Sequence, residues 1–342
     1  MADAPTPAPS DELPPDAGPA AEIQVAPSPH LSDSGLTTRR MMIDVLIGLA
    51  PAVAMALVVF GWAAVVQVGL CVLSCLGAEV VFTSARGRLA PIGDCSAAVT
   101  GAILGLSLPA NAPWYIAVIA SAAAIGLGKV VFGGLGCNIF NPAMVGRAFV
   151  MLSFASQLGS SAYQAVQPRV HVVTQATPLT VAKQGATAAV AAEKLWPLFL
   201  GTVNGSLGEV SALALLVGGL YLCVRRVAAW EIPLGVVLAA GVLAGLANWA
   251  GLTPFTALHH LLAGALLFGA FFIATDPVTS PLTGSGQFLF GLGIGAVVMV
   301  IRLFSGYPEG VMFAVLLMNA VVPLLNHWTI PRPLGGPVPA KT

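Results

Sequence analysis

Apolar runs of about twenty residues, the length that crosses a bilayer as a helix, recur along this chain from position 41 to position 328. Ten such runs are legible, near 41–62, 64–84, 94–109, 113–132, 139–158, 197–224, 230–250, 256–275, 286–304 and 309–328. In hydrocarbon every backbone amide needs an internal partner, so runs of this kind fold as helices. The third run is short, and the sixth is interrupted at Asn204–Glu209 (NGSLGE). Non-helical backbone at that depth survives only when buried in protein or lining a cavity. The expected fold is therefore an all-α polytopic membrane protein of about ten transmembrane helices, some of them short or broken.

Composition agrees. Charged residues make up 8% of the chain, against roughly a quarter in soluble domains. The 38 glycines suit close helix packing in lipid. No basic cluster is present, which argues against nucleic acid as a partner. The five cysteines form no CxxC pair, so neither a zinc site nor a dithiol redox motif is supported; they read as small buried thiols.

Positive charge orients the spans. Arg39 and Arg40 precede the first run and place the N-terminus in the cytoplasm. Arg86, Arg88, Lys129, Arg225, Arg226, Arg332 and Lys341 then fall on the same side. Both termini are expected to be cytoplasmic, and residues 159–195 to lie on the outer face. Residues 1–36 carry eight prolines, six acidic residues and no Lys or Arg, the composition of a disordered tail.

An internal repeat organises the spans. Gly101-Ala102 followed by Pro109 recurs as Gly269-Ala270 followed by Pro277, 168 residues later. Downstream, FNPAMVG from Phe140 resembles GYPEGVM from Gly306. Five spans per half invert the second half relative to the first, an arrangement that puts functional sites at the repeat interface. The organisation expected is a tail (1–36), a first five-helix repeat (37–158), an outer loop (159–195), a second, inverted five-helix repeat (196–328) and a C-terminal tail (329–342).

Charges inside the apolar runs are the candidate functional residues, because each needs a partner, water or neutralisation there. They are Asp44, Glu79, Asp94, Glu209, Glu231, Asp276 and Glu309, with Arg147 and Arg302. Asp94, Asp276, Glu79 and Glu209 are candidates for an ion or proton pathway. For Asp94 and Asp276, helix capping is an equally good reading. Arg147 either pairs with a buried carboxylate or contacts an anionic cofactor. Gly126–Lys129 (GLGK) lacks P-loop spacing, Gly291–Gly295 (GLGIG) reads as a small-residue helix face, and His259-His260 has no second histidine pair to share a metal.

Several motifs taken together resemble the RnfD/NqrB family, the membrane D subunits of bacterial Rnf electron-transport complexes. They are SPH from Ser28, GCNIFNPAMVGRAF ending at Phe149, TQATPL from Thr174, GSLGE ending at Glu209, ATDPVTSP from Ala274 and GYPEGVMFAVLLMN ending at Asn319. More distantly the chain resembles the corresponding membrane component, NqrB, of the sodium-pumping NADH:quinone oxidoreductase. The resemblance implies FMN joined covalently, through a phosphoester, to the last threonine of a D-x-x-[ST]-G-A-T pattern. Here that residue is Thr177, with Thr174 and Ala176 also matching; His171 and Gln175 stand where the pattern has an acidic residue and a glycine. Arg147 is the candidate for the flavin phosphate, and a second, non-covalent flavin such as riboflavin is allowed for. The implied activity is that of one component of an ion-translocating ferredoxin:NAD oxidoreductase in the bacterial inner membrane, coupled to Na+ or H+. The partners implied are the other membrane and peripheral Rnf subunits, a flavin transferase and the lipid bilayer. Two other functions compete: a channel or transporter of inverted-repeat type without a redox role, and the quinone-reducing homologue.

Overall fold

Thr37 starts the first helix: its hydroxyl accepts a hydrogen bond from the Arg40 amide at 3.3 Å, the usual N-cap contact. The computed structural model describes residues 37–87, 91–158, 195–201, 205–209, 211–307 and 309–331. The expected tails, and the 159–194 segment with Thr174 and Thr177, lie outside them. Thirteen helices, and no strand, are found among the described residues.

Helix α1 (Thr38–Phe60) and α2 (Trp62–Ala85) are joined by Gly61 alone, at φ 67°, a backbone angle that glycine adopts without strain. A short 3-10 turn (Ile92–Asp94) leads to α3 (Ser96–Ser107), then come α4 (Trp114–Ile125), α5 (Pro142–Ser153) and the short α6 (Ala155–Leu158). After the undescribed segment come α7 (Leu195–Leu200), α8 (Ala212–Val224), α9 (Glu231–Trp249), α10 (Ala257–Leu262), α11 (Leu266–Phe268), α12 (Gly284–Phe304) and α13 (Val311–Thr329). Two helices run on into wider π turns, α4 through Gly126–Val130 and α11 through Gly269–Ile273.

Among the described residues, five helices are long and apolar enough to cross a membrane: α1, α2, α9, α12 and α13. Four shorter apolar helices complete the set, namely α3, α4 with its π turn, α5 and α8. All six tryptophans, Trp62, Trp114, Trp196, Trp230, Trp249 and Trp328, are exposed and stand at or beside helix ends. That is where the headgroup region holds amphipathic rings. The chain is an all-α polytopic membrane protein.

The 168-residue offset can be laid over the helices. Shifted by it, α2 falls on 230–253 beside α9, and α3 on 264–275 beside α11 and its π turn. Helix α4 with its π turn falls on 282–298 beside α12, α5 on 310–321 beside α13, and α1 on 206–228 beside α8. The two sets meet where α1 packs on α8 and α5 on α13.

Helix α3 shows why a short helix is stable here. Every residue from Ser96 to Ser107 except Ala98 is buried, so it is apolar all round because protein, not lipid, surrounds it. Gly101 and Gly105 bring it against α2: a Cβ on Gly101 would lie 2.6 Å from the Val72 Cα, and one on Gly105 2.8 Å from the Val68 Cα. This is the small-xxx-small contact of membrane helices. The Gly291–Gly295 face of α12 plays the same part against α9.

The expected interruption in the sixth run is present, with the non-helical residues 205–209 lying between α7 and α8. Their backbone is satisfied by α3, where the Leu207 amide donates to the Leu108 carbonyl (3.3 Å) and the Gly208 amide to the Leu106 carbonyl (2.7 Å). These carbonyls at the end of a helix have no partner within it. The eighth run also breaks, at Ala263-Gly264, where Gly264 has φ 73°. The fifth is shorter than expected, because Asn141 caps and Pro142 starts α5 only there.

Candidate functional site: buried charges along the repeat interface

The titratable residues singled out from the sequence fall into separate clusters. The first lies between α2, α3 and the π turn after α4. Lys129 and Glu79, 2% and 1% exposed, form a salt bridge. Lys129 also donates to the Ser96 hydroxyl at 2.5 Å, and that hydroxyl donates to Asp94 Oδ1 at 2.6 Å. Asp94 further accepts the Ser96 amide at 2.8 Å. It therefore takes up the first amide of α3, whose N-cap is Cys95, and at the same time ends a chain of polar contacts running from Glu79. Charge counting puts Lys129 on the cytoplasmic side; it stands in the π turn with its side chain buried. A π turn adds a residue to the helix and often marks a functional position.

The second cluster joins the two halves. Arg147 on α5 lies 3.9 Å from Glu209, at the end of the Gly205–Glu209 stretch. Glu309, ahead of α13, is held by Arg302 Nη2 at 3.1 Å and by the Ala265 amide at 3.0 Å. Arg302 also donates to the carbonyls of His260 (2.5 Å) and Ala263 (3.0 Å), which the break between α10 and α11 leaves free. Glu209 and Glu309 are close enough to feel each other's charge.

A neutral seam ties the start of α5 to α13 and to the second π segment. The Asn141 amide donates to Asn319 Oδ1 (3.2 Å) and its side chain to the Ile273 carbonyl (3.2 Å), while Asn319 donates to the Thr279 carbonyl (3.0 Å). A fourth ion pair, among the described residues, links α1 to the end of α8: Asp44 with Arg225 at 3.2 Å, and Asp44 also accepts from the Tyr221 hydroxyl at 3.0 Å. Asp276 accepts the Val278 amide (3.1 Å) and the Thr279 hydroxyl (3.2 Å), so it shapes the turn after the second π segment.

The pathway and phosphate candidates are thus placed. Glu79 and Asp94 share one cluster, Arg147 and Glu209 share another, and Asp276 stands apart as a turn former. Sequence reasoning misses Lys129 as the partner of Glu79, together with Ser206, Tyr221 and Asn319. A lysine ending an apolar run, opposite a run holding a glutamate, is the signal available for the first. His260 lies against Phe255 and the Thr253 hydroxyl, and no group of three metal-ligating side chains occurs among the described residues. Cys71 and Cys75 are fully buried on α2.

Thr177 is not among the described residues, so the fit of a flavin phosphate rests on Arg147. Its side chain is 9% exposed, and its one partner among the described residues is Glu209, at a distance beyond hydrogen bonding. A guanidinium carries five donors in a planar fork suited to phosphate. A buried arginine with so little to donate to fits an anionic group.

A family model described as the NQR2, RnfD, RnfE family matches residues 24–335. The chain belongs to this family. It is 41% identical over 315 residues to the D subunit of the Na(+)-translocating ferredoxin:NAD(+) oxidoreductase complex of Acetobacterium woodii, covering 92% of this chain and 95% of that one. Against the D subunit of the ion-translocating oxidoreductase complex of Stutzerimonas stutzeri it is also 41% identical, over 86% and 92% of the two chains. The D subunit of the proton-translocating ferredoxin:NAD(+) oxidoreductase complex of Clostridium ljungdahlii is 38% identical, over 91% and 96%.

Proposed function

We propose that this chain is the D subunit of a membrane-bound, ion-translocating ferredoxin:NAD oxidoreductase, an electron-transferring translocase that works with the other subunits of its complex. The observation that carries this reading is the match of nearly the whole chain to relatives of that activity at 38–41% identity. Relatives named for Na+ and for proton translocation are similarly close, so the family likeness leaves the coupling ion to experiment.

Within the complex the chain would sit in the bacterial inner membrane with both termini cytoplasmic and residues 159–195 periplasmic, the orientation favoured by the distribution of Arg and Lys. Its two halves, 37–158 and 196–328, would be inverted five-helix repeats. FMN, attached by a flavin transferase to the Thr177 hydroxyl, would supply one- and two-electron chemistry at that face, and a second, non-covalent flavin is compatible with the same relay. The protein's part is position and electrostatics. Arg147 would hold the flavin phosphate, Thr174 would belong to the attachment motif, and the buried carboxylates Glu79, Asp94, Glu209 and Asp276 would answer changes of charge.

Denaturing electrophoresis tests the attachment. The wild-type chain is expected to carry a fluorescent flavin band, Thr177→Ala to lose it, and the peptide containing Thr177 to gain the mass of FMN less water. A band that persists in Thr177→Ala places the flavin elsewhere. The quinone-reducing homologue shares the family; replacing ferredoxin and NAD by NADH and quinone in the turnover assay separates it.

The channel reading is favoured by one observation, the short α3 whose end meets the broken Gly205–Glu209 stretch. Solute uptake by the purified chain in liposomes, without redox partners, would support that reading against the first.

A further inference from the structure

Two buried ion pairs stand side by side in the second cluster, and they are built differently. Arg302 and Glu309 are 3.1 Å apart, and Arg302 is tied to two carbonyls besides. Gly264 keeps room for them: a Cβ there would run into Glu309 Oε1 and lie 2.9 Å from Arg302 Nη2. Arg147 and Glu209 meet at 3.9 Å, with no hydrogen bond between them.

Glu209 Oε1 and the Ser206 hydroxyl, on one short stretch, have no hydrogen-bond partner among the described residues, and neither has Glu309 Oε2. Ser206 is fully buried, and the Glu209 side chain is 5% exposed. Both sit on one tight turn, closed by the Glu209 amide donating to the Ser206 carbonyl at 3.0 Å, and the Ser206 side chain stands close enough to act on the Glu209 carboxylate. An ionised carboxylate accepts several hydrogen bonds, and buried ones normally find them. Apart from Ser206, what stands nearest Glu209 Oε1 is a guanidinium 3.9 Å away, beyond hydrogen bonding.

The charge count limits what would fill this place. Arg147, Arg302, Glu209 and Glu309 together are neutral, so a divalent cation would leave two uncompensated charges in a buried site, which is costly. If the Arg147 guanidinium turns toward another anion, the remaining group is one positive charge short. Oxygen ligands alone suit a hard cation or a proton.

We propose that Glu209, with the Ser206 hydroxyl, forms an exchange site for one monovalent cation, H+ or Na+, whose occupancy is set by Arg147. When a proton binds, the Glu209 carboxylate becomes a carboxylic acid whose O–H donates to the Ser206 hydroxyl; when Na+ binds, the Glu209 and Ser206 oxygens ligate it. No electron moves in either case. The role in turnover rests on the ion-translocating function proposed above, whereas the occupancy is an equilibrium property of the chain.

The full-length chain in lipid nanodiscs, titrated with acid while the protonated-carboxyl C=O stretch is followed by infrared spectroscopy, tests this. A band that titrates in wild type is expected to vanish in Glu209→Gln and to move in frequency in Glu209→Asp, which keeps a carboxylate if the glutamine variant misfolds. Among the described residues, the charged groups that act on Glu209 are Arg147 and Glu309, the latter backed by Arg302, and their removal is expected to act in opposite directions. Glu309→Gln should move the midpoint to roughly tenfold higher proton concentration, and Arg147→Gln to roughly tenfold lower, about one pH unit each.

Suppression of the band at fixed pH by Na+ but not by choline assigns the site to both cations; a band indifferent to Na+ assigns it to the proton. Either supports the proposal. A band unchanged in both Glu209 variants, or midpoints that fail to move oppositely in Arg147→Gln and Glu309→Gln, overturns it. Ion pumping by the assembled wild-type complex is a separate measurement: a complex that does not pump while the Glu209 band titrates removes the ion-translocating function and leaves the site standing.

Discussion

Lys129 and Glu79 are the most deeply buried opposite charges among the described residues, and each is the other's main neutralising partner. Removing one member of such a pair leaves an uncompensated charge, which typically costs about 3–5 kcal/mol, whereas removing both together is often close to neutral. Lys129→Met is therefore expected to lower the thermal unfolding midpoint in detergent sharply, and Lys129→Met with Glu79→Gln to recover most of the loss. If the double variant is no better than the single, the pair is not what holds Lys129 in place. Asp44 and Arg225 offer a contrast, because the Arg225 side chain is 39% exposed. Solvent reaches the guanidinium, and Asp44 keeps the Tyr221 hydroxyl, so Arg225→Gln should lower the midpoint far less than Lys129→Met on the same assay. Neither pairing is readable from the sequence. Hydropathy marks a charge as out of place but does not say which of the other charges it meets, and Lys129 reaches Glu79 only because the helix widens into a π turn at Gly126.

At the scale of elements, close backbone contact decides where a small residue is required. Gly101→Ala puts a methyl 2.6 Å from the Val72 Cα, whereas at Gly69 on the neighbouring helix nothing lies within 4 Å of the added methyl. Gly101→Ala is expected to destabilise by about 1–3 kcal/mol, as overpacking does. Gly69→Ala should be neutral or gain up to about 1 kcal/mol from helix propensity. Resistance to proteolysis in nanodiscs would rank the two, and equal behaviour would argue against the α2–α3 contact. The Asn seam makes a second case: Asn319→Leu strands the Asn141 amide and the Thr279 carbonyl, each worth about 1–3 kcal/mol when left unmade. The apolar runs locate the helices well, and the interruption at Asn204–Glu209 is visible as polar and glycine residues inside a run. The break at Ala263-Gly264 is not, since both residues count as ordinary membrane-helix composition. Nor does a hydropathy window separate a helix sheathed in protein, such as α3, from one facing lipid, because both are apolar throughout.

For the whole molecule, two short landmarks in the sequence suggest a repeat, and a shift of 168 residues sets α1 to α5 beside α8, α9, α11, α12 and α13. The attachment motif around Thr177 lies outside the described residues, so it stands on its pattern alone. What joins the halves is written in backbone as well as side chains. The last carbonyls of α3 are taken up by amides of Leu207 and Gly208, residues made by the ribosome about a hundred positions later. Until those arrive, Leu106 and Leu108 present bare carbonyls inside the membrane, at a cost of several kcal/mol each. The first half thus emerges from synthesis as an unfinished object that nothing in its own sequence can complete. A fragment ending at residue 158 should be cleared rapidly when expressed alone and persist when residues 195–342 are supplied as a second chain, a comparison that pulse-chase labelling would read directly. Birth order, for this protein, is also assembly order.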